Sequence, residues 1–524
     1  MSDNYRITRA ASIVGTATLV SRIFGFVRDV VIAWFFGAGL TADAFFVAFR
    51  IPNLLRRLFA EGSLTVSFIP IFSEYLTRNG KEEAFRLARS ACVVLSLFLT
   101  VVTLLGILLA PIIVHVIAPG FSETSEKLAL TVILTRIMFP YIFFIAMVAL
   151  FMGILNAMGH FAAPALAPVL LNLAMIASVF LVSPFMEQPV IGLAIGVIIG
   201  GCLQLALQFP FLFQKGFRFR GSYHLFHPAI KRIAALMGPS VFGAAVYQLN
   251  IFIGTLLASL LPEGSVSYLY YADRLVQFPL GVFAIALATA VLPVLSREAA
   301  LNDIEGLKNT FSFALRLVFF ISIPATVGLI VLKDHIVRLL FERGAFNSLA
   351  THMTSEALLY YALGLWSFSA VRILVSMFYS LQDARTPVKT AVISLFVNIV
   401  LSILLMGPMR HAGLALATSL SSMVNLSLMI AALKRRFNRI GFKDILHSML
   451  KSITSSIVMG LILVVGTLWL IPENGIGSIS LLAWVACSIG VGILCYTGCC
   501  LVLKSEELYT IINMLKDKWL RSFT

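Results

Sequence analysis

The chain has 524 residues, of which 60% are hydrophobic and only 12% charged, with a formal net charge of +15. A soluble protein of this length needs roughly a quarter of its residues charged, so half that density puts lipid against most of the outer surface. The positive surplus alone fits either nucleic acid or a membrane surface, and its placement along the chain decides for the membrane.

Apolar runs of about 20 residues, each enough to cross about 30 Å of hydrocarbon, recur from end to end. They lack the alternation of a barrel and are read as helices, which satisfy their own backbone in lipid. The expected fold class is an all-α polytopic membrane protein of about 14 transmembrane helices. In chain order the first six spans fall near 10–36, 44–72, 91–117, 128–157, 163–183 and 190–213. Six more follow near 233–261, 266–294, 310–333, 354–381, 388–408 and 412–433, and a last pair near 452–471 and 479–503. The N-terminal stretch is not read as a secretion signal, because Arg22 interrupts its apolar part and no small-residue cleavage site follows.

The connecting loops are about 20 residues at most, which leaves little room for a catalytic module. No phosphate loop, HExxH or metal-spaced His/Cys cluster occurs in the sequence. Cys92, Cys202, Cys487, Cys495, Cys499 and Cys500 all fall in apolar spans and are read as small, lipid-compatible residues. The expectation is a protein that is not an enzyme and carries no cofactor.

Lysine and arginine fix the orientation. One set of loops, with the two termini, holds about 25 of them, from Arg6 and Arg9 to the C-terminal tail. The opposite loops hold about five: Lys127, Lys333, Arg338, Arg343 and Arg410. The asymmetry places both termini in the cytoplasm and supports an even number of spans. Within the basic set, YHLFHPAIKR, with His224 and His227, is read as an interfacial helix for anionic phospholipid headgroups rather than as a phosphoryl-transfer site.

The sequence also matches itself at an offset of about 222 residues. FIPIFSE around Pro70 recurs as VLPVLSRE around Pro293, Pro164 recurs as Pro387, and GLAIG from Gly192 recurs as GLALA from Gly413. Six helices per repeat give two lobes of the same orientation, related by an axis along the membrane normal. The expected division is an N-terminal lobe over 1–220, a C-terminal lobe over 221–440, and two additional helices with a tail over 441–524. Two facing six-helix lobes suit an alternating-access transporter.

Nine basic residues fall inside the spans, and all are arginine: Arg22, Arg28, Arg50, Arg56, Arg57, Arg136, Arg274, Arg316 and Arg372. Each costs at least about 2.5–3.5 kcal/mol at mid-helix, so each needs a reason. Arg50 and Arg316 lie near helix ends, where a long side chain reaches the headgroups. Arg57 and Glu61 are spaced to pair along one helix face, and Arg136 and Arg372 are read as ties between helices. Arg22, Arg28, Arg56 and Arg274 resist such explanations, having only Asp29 and Asp273 as acidic neighbours. A guanidinium keeps its charge when buried and presents a fork of donors that matches phosphate oxygens. A cavity with four of them attracts a multiply charged anion such as a diphosphate, not a cationic drug.

SRIFGFVRD (Ser21–Asp29), GAGLTADAFFVAFRIPNLLRRLFAEG (Gly37–Gly62) and YADRLVQFP (Tyr271–Pro279) resemble the MurJ/MviN family of lipid II flippases. That family belongs to the multidrug/oligosaccharidyl-lipid/polysaccharide exporter superfamily, and the resemblance covers essentially the whole chain. It implies two lobes forming a V, a cavity lined by helices one, two, seven and eight, and a groove on the last two helices for a polyprenyl tail. Essential family arginines fall on Arg22, Arg28, Arg56 and Arg274, and a family aspartate on Asp43. Asp29, Asp43, Glu61 and Asp273 are expected in supporting or gating roles. Some relatives bind sodium in the C-terminal lobe, where Asp383 is the candidate ligand; otherwise a proton or the membrane potential would bias the cycle.

The implied function is translocation of lipid II from the cytoplasmic to the periplasmic leaflet of the bacterial inner membrane. The alternatives are a flippase for another polyprenyl-diphosphate oligosaccharide and a drug exporter. Expected partners are lipid II, anionic phospholipids and cell-wall synthesis proteins, and no nucleic acid.

Overall fold

A computed structural model describes residues 3–57, 64–437, 441–470 and 477–521, and among these every regular element is helical. Glu61 lies outside the described residues. The first helices are α1 (Asp3–Phe36), α2 (Leu40–Leu55), α3 (Thr65–Arg78), α4 (Gly80–Leu108) and α5 (Ala110–Ile117). They are followed by α6 (Ser125–Met138), α7 (Tyr141–Ala157), α8 (Ala162–Leu181), α9 (Pro189–Gln214) and α10 (Pro228–Ser259). The second series is α11 (Ser265–Pro279), α12 (Ala286–Ala300), α13 (Ile304–Phe341), α14 (Ser348–Leu363), α15 (Leu365–Ser380) and α16 (Arg385–Arg436). The chain ends with α17 (Phe442–Leu470), α18 (Ser478–Val502) and α19 (Glu506–Arg521). All fourteen expected spans overlap one of these helices or a broken pair. Nine helical stretches among the described residues are long and apolar enough to cross a membrane, α6 with α7 and α11 with α12 each making one of them, and α14 with α15 forms a further span bent by 43°.

Where spans break, the sequence gives the reason. The α6–α7 break falls at Phe139–Pro140, since proline cannot donate to the preceding turn. In α2, Pro52 sits in the last turn, and the helix widens to a π-type turn at residues 56–57. A π-type segment also joins α11 to α12 at Leu280–Ile285, just after Pro279. The 52-residue α16 is two helices meeting at Arg410, whose φ of 50° and ψ of −133° are not helical. Ser394 Oγ donates to the Ser421 carbonyl at 2.7 Å, and a side chain on Gly413 would overlap the Leu405 carbonyl. Both pairings require the two parts to run antiparallel, so they are the two expected spans.

The same small-residue device builds the α8–α9 hairpin. A Cβ on Gly192 would lie 2.5 Å from Ser183 N, and one on Gly196 2.6 Å from Ser178 Cβ. Gln204 Nε2 continues the contact by donating to the Ala167 carbonyl at 3.0 Å. Gly192 and Gly413 are the pair matched by the sequence repeat. Helix boundaries repeat as well: an offset of 223 residues carries Ser125, Ala157 and Ala162 onto Ser348, Ser380 and Arg385, which open α14, close α15 and open α16.

Packing divides the chain into two compact units, Met1–Ser267 with Arg343–Phe346, and Tyr268–Glu342 with Asn347–Thr524. This is a division by contact, whereas the expected lobe boundary near residue 220 is one by sequence repetition. In the first unit, α10 packs against α3, α4 and α5. In the second, a core of Phe311, Leu315, Phe319, Ile373, Met377 and Met429 ties α13, α15 and α16, and α17 packs along α13.

Two expectations need correction. Lys127, placed in an outer loop by the span map, lies in the first turn of α6 and is 6% exposed. The segment around His224 is not helical before Pro228; residues 221–227 form an irregular strap against α4.

Candidate functional site

Arg28 is the best-defined of the candidate arginines. It lies on α1 and is 7% exposed. Its Nη2 and Nε donate to Asp29 Oδ1 at 2.6 and 3.0 Å, and Nη1 donates to Asn172 Oδ1 on α8 at 3.0 Å. Asn172 in turn donates from Nδ2 to the Ser21 carbonyl at 3.2 Å, so one side chain holds both Arg28 and the backbone of α1. Gly25 lets it approach: a Cβ there would meet Asn172 Nδ2 at 3.5 Å. The arrangement keeps a guanidinium charged and oriented inside an apolar segment, which an isolated cation would not tolerate.

The other arginines of the first unit differ. Arg22 is exposed, and Arg56 and Arg57 are half-buried at the wide turn after α2. Arg50 donates through Nη1 to Thr255 Oγ1 on α10, so it ties two helices rather than reaching for headgroups. Arg136 is exposed in the last turn of α6.

Asp43 is 1% exposed, and both its oxygens are used. Oδ2 accepts from Lys127 Nζ at 2.8 Å and from Gly264 N at 2.8 Å. Oδ1 accepts from Ser267 N at 2.9 Å and Ser267 Oγ at 2.6 Å. The carboxylate therefore satisfies the first amides around the start of α11 while neutralising a buried lysine, whose ammonium also lies 4.1 Å from the centre of the Phe121 ring. Nearby, the α1–α2 turn is held from two sides. Leu40 N donates to Glu263 Oε1 at 2.7 Å, and Ala345 N donates to the Trp34 carbonyl at 2.9 Å. Gly37, at φ +63°, sits where a side chain would collide with the Ala345 carbonyl.

In the second unit, Arg274 is half-buried on α11. Its Nη2 donates to Tyr270 Oη at 2.9 Å, and its guanidinium carbon lies 4.9 Å from the centre of that ring. Asp273 accepts from Gln277 Nε2 one turn on. Arg372 is exposed. Arg316 does not snorkel: Nη1 binds Glu506 Oε2 at 2.6 Å and lies 3.5 Å from Glu507 Oε1, which fastens α19 to α13. That hydrogen bond, with the guanidinium charge, holds the Glu506 carboxyl below the usual range. Asp383 Oδ1 accepts from Arg385 N at 3.1 Å and Thr386 N at 3.0 Å, and Oδ2 accepts from Thr386 Oγ1 at 2.7 Å. These bonds, with Arg436 3.8 Å away, lower its pKa and make it the cap of α16. No group of three or more His, Cys, Asp or Glu residues is placed to hold a metal among the described residues.

Sequence reasoning missed Asn172, Lys127, Tyr270 and the glutamates of α19. Two had a signal. Asn172 is the lone amide in the apolar run of α8, and Tyr270 stands four residues before Arg274 on one helix. Lys127 and Glu506 find their partners only through the fold.

The family model described as "Lipid II flippase MurJ" matches residues 32–483. The chain belongs to the lipid II flippase MurJ family. Among the MurJ relatives, the probable lipid II flippase MurJ of Vibrio cholerae is 40% identical over 435 residues, 82% of this chain and 83% of that protein. The lipid II flippase MurJ of Burkholderia cenocepacia is 38% identical, covering 82% and 84%. A structure of a lipid II flippase MurJ in an inward closed conformation superposes with a TM-score of 0.79 at 28% identity, over 94% of this chain and 98% of that one. An inward-facing multidrug resistance transporter of the MATE family shares the fold, with a TM-score of 0.67 at 15% identity over 82% and 98%. The chain is thus an integral membrane protein of a transporter family, with the architecture that the MurJ and MATE folds share.

Proposed function

We propose that this protein translocates lipid II, the polyprenyl-diphosphate-linked peptidoglycan precursor, from the cytoplasmic to the periplasmic leaflet of the inner membrane. Family membership over residues 32–483 carries this reading. The arginines supply the chemistry. Arg28, Arg56 and Arg274 offer forked donors to the diphosphate, with Arg22 exposed on the same helix as Arg28. Asp29 and Asn172 hold the Arg28 guanidinium ready for a ligand whose oxygens take over part of its hydrogen bonding.

The cycle is alternating access between two six-helix lobes, with both termini in the cytoplasm. The polyprenyl tail stays in lipid along the last two helices while the headgroup passes between the lobes. A sodium ion, a proton or the membrane potential biases the cycle. For the potential this amounts to about 2.3 kcal/mol per charge per 100 mV. Asp383, whose oxygens are occupied by the α16 cap, is the weakest part of the sodium variant.

The test is lipid II binding by the purified protein, paired with rescue of peptidoglycan synthesis in flippase-depleted cells. Losing a charge-assisted hydrogen bond costs about 1.5–3 kcal/mol, so Arg28→Ala and Arg56→Ala are each expected to weaken binding about tenfold or more. Neither variant should rescue growth at normal expression. Full rescue by both would overturn the assignment of the site. Tighter binding of another diphospho-oligosaccharide lipid than of lipid II would overturn the choice of substrate.

A further inference from the structure

The connector between α9 and α10 is fastened to α4 along its length. Phe217 is fully buried, with its ring edge-on to Phe85 at 5.4 Å. Arg89 Nε donates to the Ser222 carbonyl at 3.0 Å, and Arg86 Nε to Ser222 Oγ at 3.1 Å. His224 N donates to Ser90 Oγ at 2.9 Å, and His227 Nδ1 accepts from Ala229 N at 3.2 Å to start α10. Between these fixed points three large side chains stay exposed: Phe226 is 89% exposed, Tyr223 50% and Leu225 44%. A slack loop would fold such groups under itself. This one holds them out.

The surrounding charge is not neutralised. Arg86 is paired with Glu83 at 2.7 Å, Arg89 with Glu82 at 3.1 Å and Arg232 with Glu74 at 2.8 Å. Arg218, Arg220 and Lys231 are exposed and have no ion pair among the described residues. A cleft of about 710 Å³ lies between the strap and α4, but Glu83 lines it beside Arg86, so it is no cradle for phosphate. The unpaired cations instead bracket the aromatic tip along the chain. The occupant is set by geography: on the proposed topology the strap joins the sixth span to the seventh at the membrane surface, and Phe226 stands two residues before α10.

We propose that residues 218–231 form an interfacial anchor. Tyr223, Leu225 and Phe226 insert among the headgroups of the adjacent leaflet, and Arg218, Arg220 and Lys231 select anionic phospholipid. The combination of apolar insertion and unpaired cations is what two-signal membrane contact requires. The contact is separate from whatever the protein transports.

The test uses the full chain carrying Phe226→Trp, reconstituted into phosphatidylcholine vesicles with or without phosphatidylglycerol. The emission added over that of the native protein should be blue-shifted and quenched about twofold or more by lipids brominated near the headgroup, most strongly with phosphatidylglycerol. Replacing Arg218, Arg220 and Lys231 together by Gln should remove the phosphatidylglycerol increment, as should high salt. Millimolar inorganic phosphate should reproduce none of the effect. Unquenched, water-like emission in both kinds of vesicle would overturn the anchor. Equal quenching with and without phosphatidylglycerol would overturn the selectivity. Because Phe226 makes no buried contact, an unchanged melting temperature serves as the fold control.

Discussion

Asp43 shows how much one carboxylate carries in a membrane protein. It is buried, balances the buried Lys127 and satisfies two backbone amides near the start of α11. Removing one partner of a buried pair costs about 3–5 kcal/mol, because the other charge is left uncompensated. Asp43→Asn should therefore lower the melting temperature in detergent markedly, and adding Lys127→Met should recover part of the loss. Equal melting of all three proteins would refute the pairing. Asn172→Ala should cost about 1–3 kcal/mol by stranding donors and acceptors on α1. It should also weaken lipid II binding if Arg28 contacts the headgroup. The sequence made the arginines visible, since a charge in an apolar run is costly wherever it lies. It left their partners hidden, because Asn172 is 144 residues from Arg28 and Lys127 is 84 from Asp43. Local spacing carries no record of such pairs.

Glycine and proline set the helices' paths. Gly192 and Gly413 each stand where the next helix has just turned back on its predecessor, and neither has room for a methyl group. Gly192→Ala and Gly413→Ala should each cost about 1–3 kcal/mol from overpacking. Gly466→Ala, with open space around it, should be neutral or slightly stabilising, since alanine is the better helix former by about 1 kcal/mol. Thermal melts of the three variants decide the matter. The span map was legible because each run had the length of a bilayer. Breaks within spans were less so: Pro140, Pro52 and Pro279 stand at three of them, but a proline alone does not say whether a span will break, widen to a π-type turn or only bend. The last helix, α19, is tied down by Arg316 and Glu506. The folded Glu506 carboxyl titrates below its ordinary range, so its contribution is intact above that range and fades as pH falls through the folded value. Proteolysis of α19 should rise at strongly acidic pH in the native protein, and a few-fold at neutral pH in Glu506→Gln.

For the molecule as a whole, the proposed topology makes a simple demand. Six spans per repeat and two more return the chain to the side from which it started, so a fluorescent protein fused after Thr524 should glow in the cytoplasm. An alkaline phosphatase fused in the α5–α6 connector should be active outside, and the reverse pattern would overturn the orientation. Fold class, the repeat and the family were legible because they rest on length, composition and motif. The compact units were not, because α10 opens the second sequence repeat yet packs with α3, α4 and α5.

The constant offset of 223 residues between Ser125–Ala162 and Ser348–Arg385 bears on ancestry. Once a gene segment has doubled, its copies drift apart, and connectors ordinarily gain or lose residues long before helices do. Here one span and the turn that follows it have kept a common length. That turn has therefore been held to length as strictly as the helices beside it, which marks it as a working joint of the ancestral half rather than slack between its parts.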